Sequence, residues 1–140
     1  MVHALEEVCR VLARSAVLID LRPLAGGWPV EVASARERRQ AGRVTDLEEG
    51  PADDAAANAA MQEAEAAGFL IREQEELFPF YYYWDSPSDM QHYVDDEWTG
   101  FARIEEDVWK NVRAYWAIAD ADARVRIRVD MLITRWRKAT

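Results

Sequence analysis

The sequence predicts an α/β fold, a sheet flanked by helices, and three stretches carry that prediction. Leu5, Val8, Cys9 and Leu12 recur at helical spacing and lead into Ala16-Val17-Leu18-Ile19, an apolar run too short for a helix of its own. The alanine-rich segment from Asp53 to Ala67 has strong helix propensity, and the aromatic stretch from Phe69 to Trp84 behind it suits a strand. Val125, Ile127, Val129, Met131 and Ile133 alternate with Arg124, Arg126, Arg128 and Asp130. That is the clearest period of two in the chain, and it marks a half-buried strand.

In order, the first helix spans about residues 2–13 and the first strand about 16–22. Apolar residues on consecutive positions are what a strand covered on both faces presents, so Val17 to Leu21 is expected at the centre of the core. Asp20, Arg22 and Pro23 then fall at its carboxyl end, where open α/β sheets place their ligands. Ala25-Gly26-Gly27-Trp28-Pro29 is a loop, and Val30-Glu31-Val32 a short strand. Arg43-Val44-Thr45 is its hairpin partner across the charged stretch from Arg36 to Gln40.

Glu48-Glu49-Gly50-Pro51 interrupts the chain before the alanine-rich helix. Asp53 and Asp54 suit the positive end of that helix, and Gly68 stands where it stops. From Phe69 to Trp84 the chain reads as a long strand or bent hairpin arm, with Pro79 marking an edge or a bulge. Ser86-Pro87-Ser88-Asp89 starts a helix that runs to about Glu97. Glu105-Glu106-Asp107 opens another, on which Trp109, Val112 and Trp116 share a face with Ile104, Val108 and Tyr115 beside them.

At 140 residues the chain is expected to form one domain. Half of it is hydrophobic, with 6 Trp, 5 Tyr and 4 Phe, which argues against disorder. The net charge of -9 argues against nucleic acid, whose binding needs clustered Lys and Arg, and against an anionic membrane surface. No apolar run is long enough to span a bilayer, and the acids Glu6 and Glu7 do not suit a signal peptide, so a cytoplasmic location is expected. Cys9, the single cysteine, lies on the apolar stripe of the first helix and reads as a small buried hydrophobe.

From Arg10-Val11-Leu12 through the apolar run to Pro23-Leu24-Ala25-Gly26-Gly27-Trp28, the chain resembles the fourth helix and fifth strand of a class I S-adenosylmethionine-dependent methyltransferase. Arg-Val-Leu-x-Pro-Gly-Gly is common there, although the Pro-Gly-Gly is displaced here. The alanine-rich helix ending in Ala67-Gly68-Phe69 before a strand is similar to that family's approach to its sixth strand. The resemblance covers about residues 2–138, but only the second half of such a domain. It implies a partial Rossmann-like methyltransferase fold: a mixed sheet of about three to five strands flanked by helices, the last two strands antiparallel, the seventh inserted between the fifth and sixth.

The family's cofactor-binding half, with its glycine-rich loop, has no counterpart here. The glycines stand at 26, 27, 42, 50, 68 and 100, with no Gly-x-Gly among them. The isolated chain is therefore expected to bind no cofactor, and S-adenosylmethionine only if a partner supplies the glycine-rich half. Without its usual neighbour the Val17–Leu21 strand exposes an apolar edge, which predicts a homodimer or a complementary chain pairing there.

Other chemistry is sparse. His3 and His92 are the only histidines; His92 with Asp95 and Asp96 could offer ligands from one helix face, but no second His supports a metal, and the carboxylates Asp85, Asp95, Asp96 and Glu97 read as surface charge. Serine-nucleophile motifs and Walker loops are absent. On a strand, Phe80, Tyr82 and Trp84 point one way and Tyr81 and Tyr83 the other. Core packing, an oligomer interface and a small-molecule pocket are the three open readings of that segment.

By the resemblance, the substrate-binding candidates are Asp20, Arg22, Trp28, Tyr82, Trp84 and Asp85, with none assigned as catalytic. Two function classes follow. One is a methyltransferase-like protein or fragment, one part of a split or truncated enzyme that acts with a partner chain. The other is a non-enzymatic module that dimerises or binds a small ligand. An independent enzyme built on the acidic residues is the weakest reading, because no nucleophile, base and orienting group recur at a recognisable spacing.

Overall fold

The computed structural model describes residues 2–139, with side chains from residue 4 onward. Its elements in chain order are α1 (Val2–Val11), β1 (Val17–Pro23), β2 (Pro29–Ala33), β3 (Arg38–Arg43), β4 (Thr45–Asp46), α2 (Glu49–Ala66), β5 (Leu70–Trp84), α3 (Pro87–Glu97), β6 (Ala102–Arg103), α4 (Glu106–Ala117) and β7 (Arg124–Lys138). The fold is α/β with flanking helices, and most main elements stand near where the sequence puts them, except that α2 begins at Glu49 and takes Gly50-Pro51 into its first turn, where Pro is tolerated, and that the partner of β2 is Arg38–Arg43. Two compact units share the chain. The first comprises Met1–Leu24, Ala52–Phe78 and Met131–Thr140; the second comprises Ala25–Pro51 and Pro79–Asp130.

In the first unit, β1 pairs antiparallel with the second half of β7, from Val17 opposite Arg137 to Pro23 opposite Met131. β5 also pairs with β7. The Glu73 carboxylate meets Arg135 and Arg137 at 2.9 and 3.0 Å, and the Thr134 hydroxyl donates to Glu75 at 3.4 Å. The Ala139 N–H donates to the Phe69 carbonyl at 3.0 Å. Numbers rise along β5 as they fall along β7, so these two strands are also antiparallel. A strand has two edges, so this half of β7 lies between β1 and β5, and the outer edge of β1 has no strand partner among the described residues.

Cys9 from α1, Ala64 from α2, Leu70 from β5 and Trp136 from β7 form the buried core of this unit, with Leu5, Leu18 and Met61 packed against it. The alanines explain how α2 comes so near: Ala60 and Ala64 are its buried residues, and neither side chain holds the helix away. Gly68, at φ 74°, adopts the left-handed conformation that ends a helix and that L side chains resist.

Two expectations are corrected here. The Val17–Leu21 strand is not covered on both faces: Val17, Ile19 and Leu21 are 41%, 50% and 55% exposed, whereas Leu18 packs on the core. It is an edge strand, and among the described residues no element covers the face that carries Val17, Ile19 and Leu21. The sheet is antiparallel rather than mixed, since every recorded register runs antiparallel.

In the second unit, β2 and β3 form a hairpin, from Pro29 opposite Arg43 to Ala33 opposite Arg38, with a bulge between Val30 and Glu31; the partner strand is drawn from the charged stretch itself and not from Arg43-Val44-Thr45, a correction to the expected pairing. The turn is tighter than the sequence suggests, closed by the Ser34 N–H on the Glu37 carbonyl at 2.8 Å. β2 also pairs with the first half of β7, Val30 opposite Ile127 through Ala33 opposite Arg124. Val108, Trp109 and Val112 of α4 are buried, as are Val30, Val32, Val125 and Ile127 of the strands. A Cβ on Gly42 would lie 2.6 Å from Val108 Cγ2, so α4 sits as close to β3 as it does only because that position lacks a side chain. α3 begins as its sequence indicates, with the Ser86 hydroxyl accepting the Asp89 N–H at 3.1 Å and Pro87 as its first residue. β4 and β6 form a separate two-stranded ladder.

The alternation in β7 holds for Val125, Ile127 and Val129, which are buried, but Met131 and Ile133 are only half-buried. Leu132, Thr134 and Trp136 take the buried positions instead. The strand passes from one unit to the other after Asp130, and each half turns to its own core.

Candidate functional site

Asp20 and Arg22 belong to the first unit. Arg22 Nε lies 3.2 Å from Asp20 Oδ2, its Nη2 donates to Asn58 Oδ1 at 2.6 Å, and its Nη1 donates to the Asp54 carbonyl at 3.4 Å. Both side chains are mostly buried, and the guanidinium is committed to tying β1 to α2. This pair is a structural clamp.

Trp28, Tyr82, Trp84 and Asp85 belong to the second unit, where the aromatic strand acquires its neighbours. Phe80, Tyr82 and Trp84 line one face of β5, as period two requires. Tyr82 stacks on Trp84 with centroids 6.0 Å apart, meets Tyr93 of α3 at 6.1 Å and stands edge-on to Trp98 at 5.7 Å. Trp98 in turn meets Trp28 edge-on at 5.4 Å and Phe101 at 5.7 Å. Trp28 and Trp98 are buried. These geometries favour aromatic pairs beyond the area they bury, and they support core packing as the reading of this face. Loss of hydration first, then Tyr82 and Glu97, push the Tyr93 phenol above its ordinary range. Asp85 stays exposed, 3.4 Å from Arg124.

The opposite face holds the constellation that sequence reasoning missed. Arg126 Nε donates to Glu31 Oε2 at 2.6 Å and its Nη1 to the Tyr83 hydroxyl at 3.0 Å, while its guanidinium carbon lies 4.5 Å from the Tyr81 ring centroid and 5.8 Å from that of Tyr83. Glu31 is only 2% exposed, and Arg38 approaches its other oxygen at 3.7 Å. Two cations thus hold one buried carboxylate, and the rings of Tyr81 and Tyr83, with the Tyr83 hydroxyl, hold Arg126. Arg128, two residues along from Arg126, has a buried Nε with no hydrogen-bond partner. The signal was present: Arg124, Arg126 and Arg128 recur with period two, which reads equally as a solvent face, and Glu31 sits between Val30 and Val32.

Among the described residues no cluster of three or more His, Cys, Asp or Glu could hold a metal ion; His92 is exposed, and the side chain of His3 lies outside the described residues. Cys9 is buried, and loss of hydration pushes its thiol up although Lys138 opposes this. No helix of the described residues is long and apolar enough to cross a membrane.

Gly26-Gly27 is the one adjacent glycine pair in the sequence, and the backbone of Gly27 is engaged: its N–H donates to Asp46 Oδ2 at 2.8 Å and its carbonyl accepts from Arg43 Nη1 at 2.9 Å. Charge recognition and ring stacking are what this surface can do. No family model, no curated protein and no solved structure matches the chain.

Proposed function

We propose that this chain is the second half of a methyltransferase-like domain, inactive alone and completed by a partner segment that adds to the outer edge of β1. The carrying observation is the row of Val17, Ile19 and Leu21, apolar and about half exposed on an edge strand. Burying those side chains and pairing the open backbone groups would both favour an added strand. The strand order supports the same reading: β7 lies between β1 and β5 and antiparallel to β5, the arrangement the resemblance implies for the last strands. The missing glycine loop belongs to the segment that would complete the sheet.

The test is to co-express the chain with the product of the neighbouring coding sequence and titrate the purified complex, and the chain alone, with S-adenosylmethionine and S-adenosylhomocysteine by calorimetry. The complex should bind at about micromolar Kd and the chain alone should not. Failure of the complex to form or to bind the cofactor, or micromolar binding by the chain alone, would overturn the reading.

A second reading, a non-enzymatic dimeric or small-ligand module, draws on the same edge. In a two-fold antiparallel pairing centred on Ile19, Val17 of one copy faces Leu21 of the other and Ile19 faces itself. All the exposed apolar side chains then share one face and the two Asp20 carboxylates avoid each other.

A further inference from the structure

We propose that the outer face of β2, β5 and β7 in the second unit binds a small ligand carrying an oxyanion beside a flat ring, a phosphate or a carboxylate. This inference is independent of the methyltransferase reading. Arg124, Arg126 and Arg128 project to one side of β7, opposite Val125, Ile127 and Val129, and Arg38 joins them from β3. The carboxylates on this face are Glu31, Asp85 and, next along β7, Asp130, so four guanidiniums face three acids within a chain whose net charge is -9.

Glu31 does not neutralise the whole patch. It fixes Arg126 with a 2.6 Å hydrogen bond and leaves Arg38 more distant, at 3.7 Å. Arg128 has a buried Nε that donates to nothing in the protein. A buried donor left without an acceptor is costly, and a shift of the Arg128 side chain onto an anionic oxygen would relieve that cost. The rings supply the second half of the recognition. Tyr83 is 49% exposed, and Tyr81 and Tyr83 are held in place by Arg126. Their arrangement, a fixed cation beside the half-buried Tyr81 and the exposed Tyr83, suits a flat group stacked on the Tyr83 ring with its charge directed to Arg128 and Arg38.

Nuclear magnetic resonance titration of the full chain with phenyl phosphate, benzoate and inorganic phosphate tests this. At least one ring-bearing anion should shift the amide signals of residues 124–128 and the Arg side-chain signals with Kd below about 1 mM, and inorganic phosphate should bind at least about fivefold more weakly. Phenyl phosphate binding alone would identify the anion as phosphate, and benzoate alone as carboxylate. Arg128→Gln should weaken binding by about tenfold, and the exposed Arg38→Gln, which leaves the Glu31–Arg126 pair intact, by severalfold. Should Arg128→Gln fail to fold, the Arg38→Gln result decides. No shift from either ring-bearing anion at about 10 mM, or undiminished binding by the folded variants, would overturn the proposal.

Discussion

Glu31 shows how a single residue can be invisible in sequence and central in structure. Between two valines in a short strand it reads as the polar member of an alternating pair, yet it is buried and bonded to Arg126, 95 residues later in the chain. Removing its carboxylate leaves a guanidinium largely out of water with no counter-charge, a defect that costs about 3 kcal/mol in comparable buried pairs. Glu31→Ala should lose about that much in urea unfolding, whereas Glu31→Gln, which keeps an acceptor for Arg126 Nε, should lose less. A change below about 1 kcal/mol for Glu31→Ala would mean that Arg38 and the tyrosines hold Arg126 without it. Cys9, by contrast, was legible: an apolar stripe at helical spacing is enough to bury a thiol.

At the scale of elements, local signals were reliable where the chain carries its own instructions. Ser86-Pro87 caps α3 and Gly68 closes α2, whereas the partner of β2 is the charged stretch Arg38–Arg43, which carries no strand signal of its own. Gly42 is different, because its reason for being glycine lies on another element. A methyl group there would sit 2.6 Å from Val108 Cγ2 of α4, and Val108 is branched at Cβ and buried. Gly42→Ala should therefore destabilise the protein by about 1–3 kcal/mol through overpacking, and Gly42→Ala combined with Val108→Ala should recover part of the loss. Thermal unfolding of the two variants and the native chain checks both statements; equal losses would place the strain elsewhere. The phase change in β7 belongs to the same scale: period two is a property of the strand, but which face is buried depends on what covers each half.

For the whole molecule, the open edge of β1 is the feature with the largest consequence. Both readings of function require something to pair with it, and they differ in what does so. If a second copy is the partner, sedimentation at micromolar concentration should give a dimer, and Ile19→Lys, which places a charge at the centre of the apolar row, should return the monomer. A dimer that survives Ile19→Lys would move the interface away from β1. A monomer for the native chain would exclude self-pairing at that concentration and leave the edge to a different chain.

The sequence by itself determined the succession of helices and strands, the start of α3, the stop of α2, and the two faces of the aromatic strand, because propensity, capping and periodicity act within a few residues. Only the tertiary structure decided that Val17–Leu21 is an edge strand and not a covered centre, that the sheet is antiparallel, and that β7 changes its buried face midway. It alone brought Glu31 to Arg126 and turned Arg22 into a clamp on α2. Those outcomes depend on which distant segment arrives beside a residue, and no local pattern of apolar and charged positions contains that information.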